Sequence, residues 1–313
     1  MANYVGIQTQ IRRNNFKSVL LLLGFPLLIL AAVYAFLFFT APQENQTPVN
    51  INEIFVQTVP LVLIGVAIWF FIAFFFHSKM ISSAAGSKSL ERKENSRVYN
   101  LVENLCISRG MKMPRVNIIE DQALNAFASG INEKTYTVTL TRGIIEKLND
   151  EELEGVIAHE LMHIRNKDVR LLIISIIFVG IFSFLAQILF RSMLLGGGRR
   201  RGGKNDNRAI LIAMVIAFVA FLLSMLFRFA ISRKREYMAD SGAVEMTKKP
   251  WALASALKKI SGNYRVESVK SDDVAELFIE NRPDRSSGMM SAITGLFATH
   301  PPIEKRIKIL EQF

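Results

Sequence analysis

The chain has 313 residues, of which 50% are hydrophobic, and it carries a formal net charge of +11 at pH 7. This composition is too apolar for an ordinary soluble domain and predicts a membrane protein. Since Lys and Arg accumulate on the cytoplasmic flanks of membrane proteins, we expect no nucleic-acid partner despite the positive charge. The single cysteine, Cys106, excludes an intrachain disulfide and a cysteine-based metal cage.

Two apolar stretches near the N-terminus are each long enough to cross about 30 Å of hydrocarbon. They cover 18–40 and 54–76, and they predict an N-terminal transmembrane hairpin within 1–80. Basic residues precede the first stretch and follow the second, whereas the connector at 41–53 has no Lys or Arg. The positive-inside rule therefore places both ends of this hairpin in the cytoplasm.

The segment 81–168 has a mixed composition and predicts the first part of a catalytic domain. Helices are expected at 97–108 and 142–147. Short apolar patterns predict three extended segments of a small sheet, at 115–119, 124–129 and 135–141. In the last segment, every second side chain is apolar, which predicts a half-buried strand.

The next predicted helix begins at an N-cap, Asn149 or Asp150, and carries His159-Glu160-Leu161-Met162-His163. Histidines four residues apart lie on one helix face, so both imidazoles can bind one ion. The glutamate between them is placed to hold a zinc-bound water, take its proton, and pass that proton to a leaving amine. The spacing predicts one Zn²⁺ per chain, with Glu160 as the general base. The alternative is an exposed helix with two surface histidines.

A catalytic zinc site needs a third protein ligand, and Glu236-Tyr237-Met238-Ala239-Asp240 can supply it. Glu236 and Asp240 are four residues apart and share a helix face, so Glu236 can bind the metal. Asp240 is then placed to accept the outer N–H of a ligating imidazole. The alternative is a solvated acidic pair beside Lys234 and Arg235.

Two further apolar runs, 169–190 and 209–231, predict a second hydrophobic hairpin within 169–232. The loop between them is basic, so the hairpin either crosses the membrane against the positive-inside tendency, or dips into or lies against the membrane without crossing it. A continuous helix would place His163 about 9 Å before the first run. We therefore expect the metal near the membrane face. The remaining segment, 233–313, predicts the second part of the catalytic domain.

Four ordered motifs of this sequence resemble those of the HtpX-like membrane zinc peptidases, relatives of the CAAX prenyl endopeptidases. They are Leu124–Gly130, Ala158–His163, Glu236–Asp240 and Thr299–Pro302. The resemblance implies an α-helical integral membrane protein with an α+β zincin-type (gluzincin) catalytic domain. It also implies that His159, His163 and Glu236 bind zinc, that Glu160 is the base, and that Asp240 supports His159.

The resemblance further implies how substrate is bound. Asn125, Ala126 and Phe127 resemble an edge strand above the active-site helix, to which a substrate peptide adds as another strand. His300 and Arg306 match positions near the cleft, and we expect His300 to donate to the developing oxyanion and Arg306 to contact substrate. From the residues alone, His300 would be a helix-start residue and Arg306 a solvated surface charge.

The expected function is hydrolysis of unfolded or damaged membrane proteins, as quality control, at the cytoplasmic face of the inner membrane. Its partners are polypeptide substrates and the lipid bilayer. A zinc hydrolase of another substrate class and a proteolytically idle scaffold remain as alternatives, although a scaffold would be expected to have lost Glu160 or a ligand. Charges around the motif, such as Glu151 and Arg165, disfavour an intramembrane protease. Asn166 and Asp168, which follow the motif, receive no role.

Overall fold

The computed structural model describes residues 7–40, 50–177, 180–181, 191, 211–219, 234–266, 269, 277–279 and 301–313. Contacts divide the chain into two compact units. The first unit comprises 1–15, 76–173 and 231–313, and the second comprises 16–75 and 174–230.

The second unit contains most of two long helices, α1 (Ile7–Thr40) and α2 (Ile51–Ala84). Both are long and apolar enough to cross a membrane. Large apolar side chains cover their surfaces: Phe16 is 70% exposed and Leu61 is 73% exposed. Such surfaces are costly in water and suit hydrocarbon. Each helix extends beyond its predicted apolar stretch because the polar flanks are also helical.

The predicted second hairpin is described only in part. Residues 168–177 and 211–219 are helical, and within the second unit Trp69 Nε1 donates a hydrogen bond to Ile177 O at 3.2 Å. The rest of 169–190 and 209–231 lies mostly outside the described residues. Whether the two runs form a hairpin stays a prediction.

The first unit contains a four-stranded sheet in the order β1-β2-β4-β3. The strands are β1 (Ser87–Ser89), β2 (Arg115–Ile119), β3 (Ala126–Ser129) and β4 (Thr137–Thr141). β2 and β4 pair in parallel, whereas β1 and β3 pair antiparallel to their neighbours. All three predicted extended segments are strands, and the last two are shorter than predicted.

The prediction that the last strand is half-buried was wrong, because every residue of β4 is buried. β4 lies between β2 and β3, and the hydroxyl groups of Thr137 and Thr141 donate to backbone carbonyls. Thr141 Oγ1 donates to Ala123 O at 2.6 Å, and Thr137 Oγ1 donates to Thr135 O at 3.2 Å. A buried hydroxyl with a partner costs little, so the polar positions of this strand need not face water.

Six helices complete the described part of the first unit. They are α3 (Ser96–Ser108), α4 (Arg142–Lys147), α5 (Asp150–Arg165), α6 (Lys234–Thr247), α7 (Pro250–Ile260) and α8 (Ile303–Leu310). The helices predicted at 97–108 and 142–147 are α3 and α4. Cys106 is 2% exposed in α3, and burial raises the pKa of its thiol to about 11.

The helix α5 lies at the centre of the first unit, where α3, α6, α7 and β3 pack against it. Two glycines allow this close packing. A Cβ on Gly155 would lie 3.2 Å from Leu253 Cα in α7, and a Cβ on Gly242 in α6 would collide with Met162. The close approach of α6 brings its carboxylates to the histidines of α5.

Candidate metal centre

The metal-binding motif lies on α5, which begins with a capping box. The Asn149 side chain accepts from Glu152 N, and the Glu152 carboxylate accepts from Asn149 N. This arrangement satisfies backbone donors at the helix start. His159 is 0% exposed in the middle of α5, and His163 follows one turn later.

Three side chains converge between α5 and α6: His159, His163 and Glu236. The two Nε2 atoms of His159 and His163 are 3.1 Å apart. Glu236 Oε2 lies 3.6 Å from His159 Nε2, and Glu236 Oε1 lies 3.5 Å from His163 Nε2. Ligand atoms at about 2.0–2.2 Å from one tetrahedral zinc are roughly 3.3–3.6 Å apart. The three side chains therefore fit a single zinc ion.

The outer nitrogens of both imidazoles face carboxylates. His159 Nδ1 donates to Asp240 Oδ1 at 2.9 Å, and His163 Nδ1 donates to Asp168 Oδ2 at 3.2 Å. Because a carboxylate only accepts, the hydrogen of each ring is fixed on Nδ1 and the lone pair on Nε2. Two lone pairs and a carboxylate at this separation repel one another unless a cation lies among them. This donor set suits zinc.

The pKa of His159 also shows that this site favours a positive charge. Burial and the positive charge of Arg306 lower the pKa of His159, but hydrogen bonds to Asp240 and Glu236 outweigh them and raise it to about 9. Without a metal, a proton on His159 supplies the positive charge that the carboxylates attract. Metal binding therefore displaces a proton from this site.

Arg306 supports Asp240 from the other side. Its Nη2 and Nε donate to Asp240 Oδ1 and Oδ2 at 2.7 and 2.9 Å. Burial raises the pKa of Asp240, yet the charge of Arg306 and the hydrogen bond from His159 lower it to about 2. The interpretation of Arg306 as a solvated surface charge was wrong, because it is 0% exposed. Its role in binding substrate stays a prediction.

Glu160 lines a cleft together with His163 and Glu236. It is 2% exposed, and burial raises the pKa of its carboxyl, although the two histidines partly oppose the shift. A carboxylate whose pKa is closer to neutrality is a better proton acceptor and donor in turn. Glu160 thus lies beside two of the predicted metal ligands, and its role as the general base stays a prediction.

The apolar residues Val169, Leu172 and Leu277 also line this cleft, as does Ala128 of β3. Asp168 and Val169 reach the cleft because the chain turns sharply after α5. The backbone of Lys167 is in the left-handed region, with φ 59°, so the helix does not continue from 163 to 169. Val169, the first residue of the apolar run, therefore lines the same cleft as His163.

The three residues predicted to bind substrate make internal contacts. Asn125 O accepts from Thr141 N at 3.1 Å, and Asn125 Nδ2 donates to Tyr264 O at 2.7 Å. The ring of Phe127 stacks edge-on against Phe278, with centroids 4.8 Å apart. The substrate-binding role of these residues stays a prediction.

The outward edge of β3 is defined by its pairing with β4. In an antiparallel pair, alternate residues direct both backbone groups toward the partner strand. Asn125 pairs with Thr141 in this way, so Ala126 and Ala128 direct their backbone groups away from β4. Ala126 O accepts from Ile279 N at 2.8 Å. Ala128, which lines the cleft, is therefore the edge residue beside the metal ligands.

Sequence reasoning left one neighbour of the metal ligands without a role. Asp168 lies five residues after His163. An acidic residue so close to the motif could have indicated a contact with a histidine of the motif. The left-handed turn at Lys167, which returns Asp168 to His163, could not be read from a lysine. His300, predicted as an oxyanion donor, lies outside the described residues.

The chain is similar to several known proteins. Residues 92–313 match Peptidase family M48. A Protease HtpX homolog of Bacteroides fragilis is 58% identical over 320 residues, which cover 99% of each chain. One from Dictyoglomus turgidum is 40% identical, covering 79% of this chain and 81% of its own. The crystal structure of S. mikatae Ste24p is similar with a TM-score of 0.48 and 17% identity, covering 96% of this chain and 66% of that one.

Proposed function

This chain belongs to peptidase family M48, and from that premise we propose that it is a membrane-bound zinc endopeptidase acting on unfolded or damaged membrane proteins. The family makes it a metalloprotease, and its two apolar helices fit a membrane protein. One observation carries the proposal: the Nε2 atoms of His159 and His163 converge with the Glu236 carboxylate, and Glu160 lines the same cleft as His163 and Glu236.

The residues of the site divide the chemistry among them. His159, His163 and Glu236 would hold the zinc, which when bound polarises the scissile carbonyl and acidifies the attacking water. Glu160 takes the proton of that water and returns it to the departing amine. Asp240 and Asp168 hold the imidazoles in the ligating tautomer. His300 is proposed, from the family resemblance, to donate to the oxyanion.

Substrate binding is proposed at the part of the β3 edge that Ala128 forms. The outward N–H and C=O of Ala128 can pair with an extended peptide laid along the cleft. An apolar side chain of that peptide would contact the apolar lining residues Val169, Leu172 and Leu277. Folded domains rarely present an extended backbone, so this edge favours unfolded segments.

The site is proposed to face the cytoplasm near the membrane. Basic residues flank the outer ends of α1 and α2, which favours a cytoplasmic location for both ends. The apolar run beginning at Val169 starts at the cleft that His163 lines. Peptides tethered to the same bilayer would therefore reach the site at high local concentration.

The first experiment separates a peptidase from a zinc hydrolase of another class and from an idle scaffold. The purified protein is incubated with unfolded casein, with and without a chelator, and the products are identified by mass spectrometry. We expect cleavage of peptide bonds that chelation stops and added zinc restores. Intact casein in the presence of zinc-loaded protein would overturn the proposed activity.

A second experiment addresses the membrane-tethered substrate. Model membrane proteins with one disordered cytoplasmic segment, placed at increasing distance from the bilayer, are reconstituted with the enzyme. Cleavage is expected to fall with distance and to exceed that of the free segment at matched bulk concentration. Equal cleavage of free and tethered segments would rule out the preference for tethered substrates.

A further inference from the structure

Buried hydrogen bonds connect the start of α1 to a proposed zinc ligand. Asn14 Nδ2 donates to Asp168 Oδ1 at 2.6 Å and to Asn166 O at 2.9 Å. The other oxygen of Asp168 accepts from His163 Nδ1 at 3.2 Å. Asn14 is 2% exposed and Asp168 is 1% exposed. The residues involved all belong to the first unit.

The position of Asp168 is determined by the end of the metal-binding helix. Asn166 is the C-cap of α5, and the left-handed backbone of Lys167 then turns the chain back toward His163. A left-handed conformation is unfavourable for a lysine and persists only where its surroundings hold it. The hydrogen bonds of Asn14 to the residues on both sides of Lys167 can provide that restraint.

The amide of Asn14 is suited to this task. Its NH₂ group has two hydrogens, and one donates to the Asn166 carbonyl while the other donates to the Asp168 carboxylate. With Oδ1 held by Asn14, the carboxylate plane is fixed and Oδ2 is directed at His163 Nδ1. A ligating histidine whose outer N–H has a fixed acceptor binds metal more tightly.

We propose that Asn14 and Asp168 are positioning residues of the zinc site, so that the start of α1 supports the metal centre. Asp168 acts directly on His163, and Asn14 acts through Asp168. Asn14 precedes the apolar stretch of α1 by four residues, so the residue that positions Asp168 lies on the same helix as that stretch. This inference rests on the proposed zinc site.

The test measures zinc affinity in the full-length protein with Asn14→Ala, Asp168→Ala and the double variant. The matched control is Asn15→Ala, because Asn15 is adjacent on α1 and its Oδ1 has no hydrogen-bond partner among the described residues. Zinc dissociation constants come from competition with a chromophoric chelator. The absorption spectrum of the Co²⁺-loaded protein reports ligand geometry independently of activity.

Asp168→Ala should weaken zinc binding by roughly 10–100-fold and Asn14→Ala by about tenfold, as expected for residues that orient a ligand. Both should alter the Co²⁺ spectrum, whereas Asn15→Ala should alter neither quantity. In the Asp168→Ala background, Asn14→Ala should have almost no further effect on zinc affinity, because Asn14 acts on His163 only through Asp168.

Two results would overturn the inference. One is wild-type zinc affinity in Asn14→Ala. The other is an equal loss of zinc affinity on Asn14→Ala whether or not Asp168 is present. Thermal unfolding of the metal-free variants identifies a folding defect, and Asn14→Ser, which retains one donor, replaces the alanine variant if that does not fold. A wild-type protein that binds no zinc would instead refute the proposed function. If the wild-type protein binds zinc and Asn14→Ala binds it equally tightly, only the proposed role of Asn14 is refuted.

Discussion

Arg306 and Asp240 form a bidentate ion pair in the interior of the first unit, with N–O distances of 2.7 and 2.9 Å. The pair is adjacent to His159, whose Nδ1 donates to the same carboxylate. Arg306 Nη2 also lies 3.3 Å from His159 Nε2. The C-terminal helix α8 is thereby connected to the proposed zinc ligand on α5.

Replacing Arg306 with alanine should leave the Asp240 charge buried and without its strongest partner. The expected cost is about 3–5 kcal/mol in the free energy of unfolding, seen as a lower unfolding temperature of the detergent-solubilised protein. Arg306→Lys should not restore stability, since lysine lacks the bidentate fork. Lys305→Ala, at an exposed position of the same helix, is the control. Equal unfolding temperatures for Arg306→Ala and this control would contradict the prediction.

Substitution of a predicted metal ligand should have effects that substitution of another acidic residue of α6 does not have. Glu236→Gln and His163→Ala should each lose bound zinc and peptidase activity together, because each removes a ligand. Glu245→Gln, an exposed change in the same helix, should retain both. Metal analysis of the purified variants measures occupancy. Full zinc occupancy in Glu236→Gln would require a different third ligand.

The edge strand offers a test of substrate binding. Ala128→Pro removes an N–H that faces the cleft, so kcat/KM for peptides should fall while zinc content stays normal. Ala126→Pro should also raise KM, but less, because Ala126 N already donates to Asn125 Oδ1 at 3.0 Å. Steady-state kinetics with a fluorogenic peptide measure both. Unchanged kinetics in Ala128→Pro would remove β3 from the substrate site.

Acid stability should depend on Glu152, whose carboxylate accepts from Lys259 and Ser255 of α7. Burial raises its pKa, but these hydrogen bonds and the one from the Asn149 backbone outweigh burial and lower it. A lowered folded pKa stabilises the protein above the unfolded value, about 4.3, and that stability disappears as pH falls through the folded pKa.

Glu152→Gln should therefore unfold at a lower temperature than wild type at neutral pH, and the difference should shrink as the pH is lowered below about 4. Thermal unfolding across pH, with the exposed change Glu146→Gln as control, measures this. A difference that is independent of pH would show that the carboxylate charge is not what stabilises α5 and α7.

The sequence predicts the parts of the site that depend on local spacing. His159 and His163 lie one helical turn apart, and the capping box of α5 is contained within four residues, so both can be read from a short segment. The burial of Arg306 depends on Asp240, 66 positions away, and the contact of Asn14 with Asp168 spans 154 positions. A lone asparagine or arginine carries no local sign of such a partner. Burial of β4 was missed because threonine is polar in sequence, although the hydroxyls of Thr137 and Thr141 donate to backbone carbonyls.

The most direct test of the central claim is the peptidase activity of Glu160→Gln measured together with its zinc content. Glutamine has nearly the same shape but cannot accept the proton, and no ligand is removed. We predict about one zinc per chain, as in wild type, and loss of casein hydrolysis by at least about a hundredfold. Turnover close to that of wild type in a zinc-loaded Glu160→Gln protein would contradict the role of Glu160 as the base.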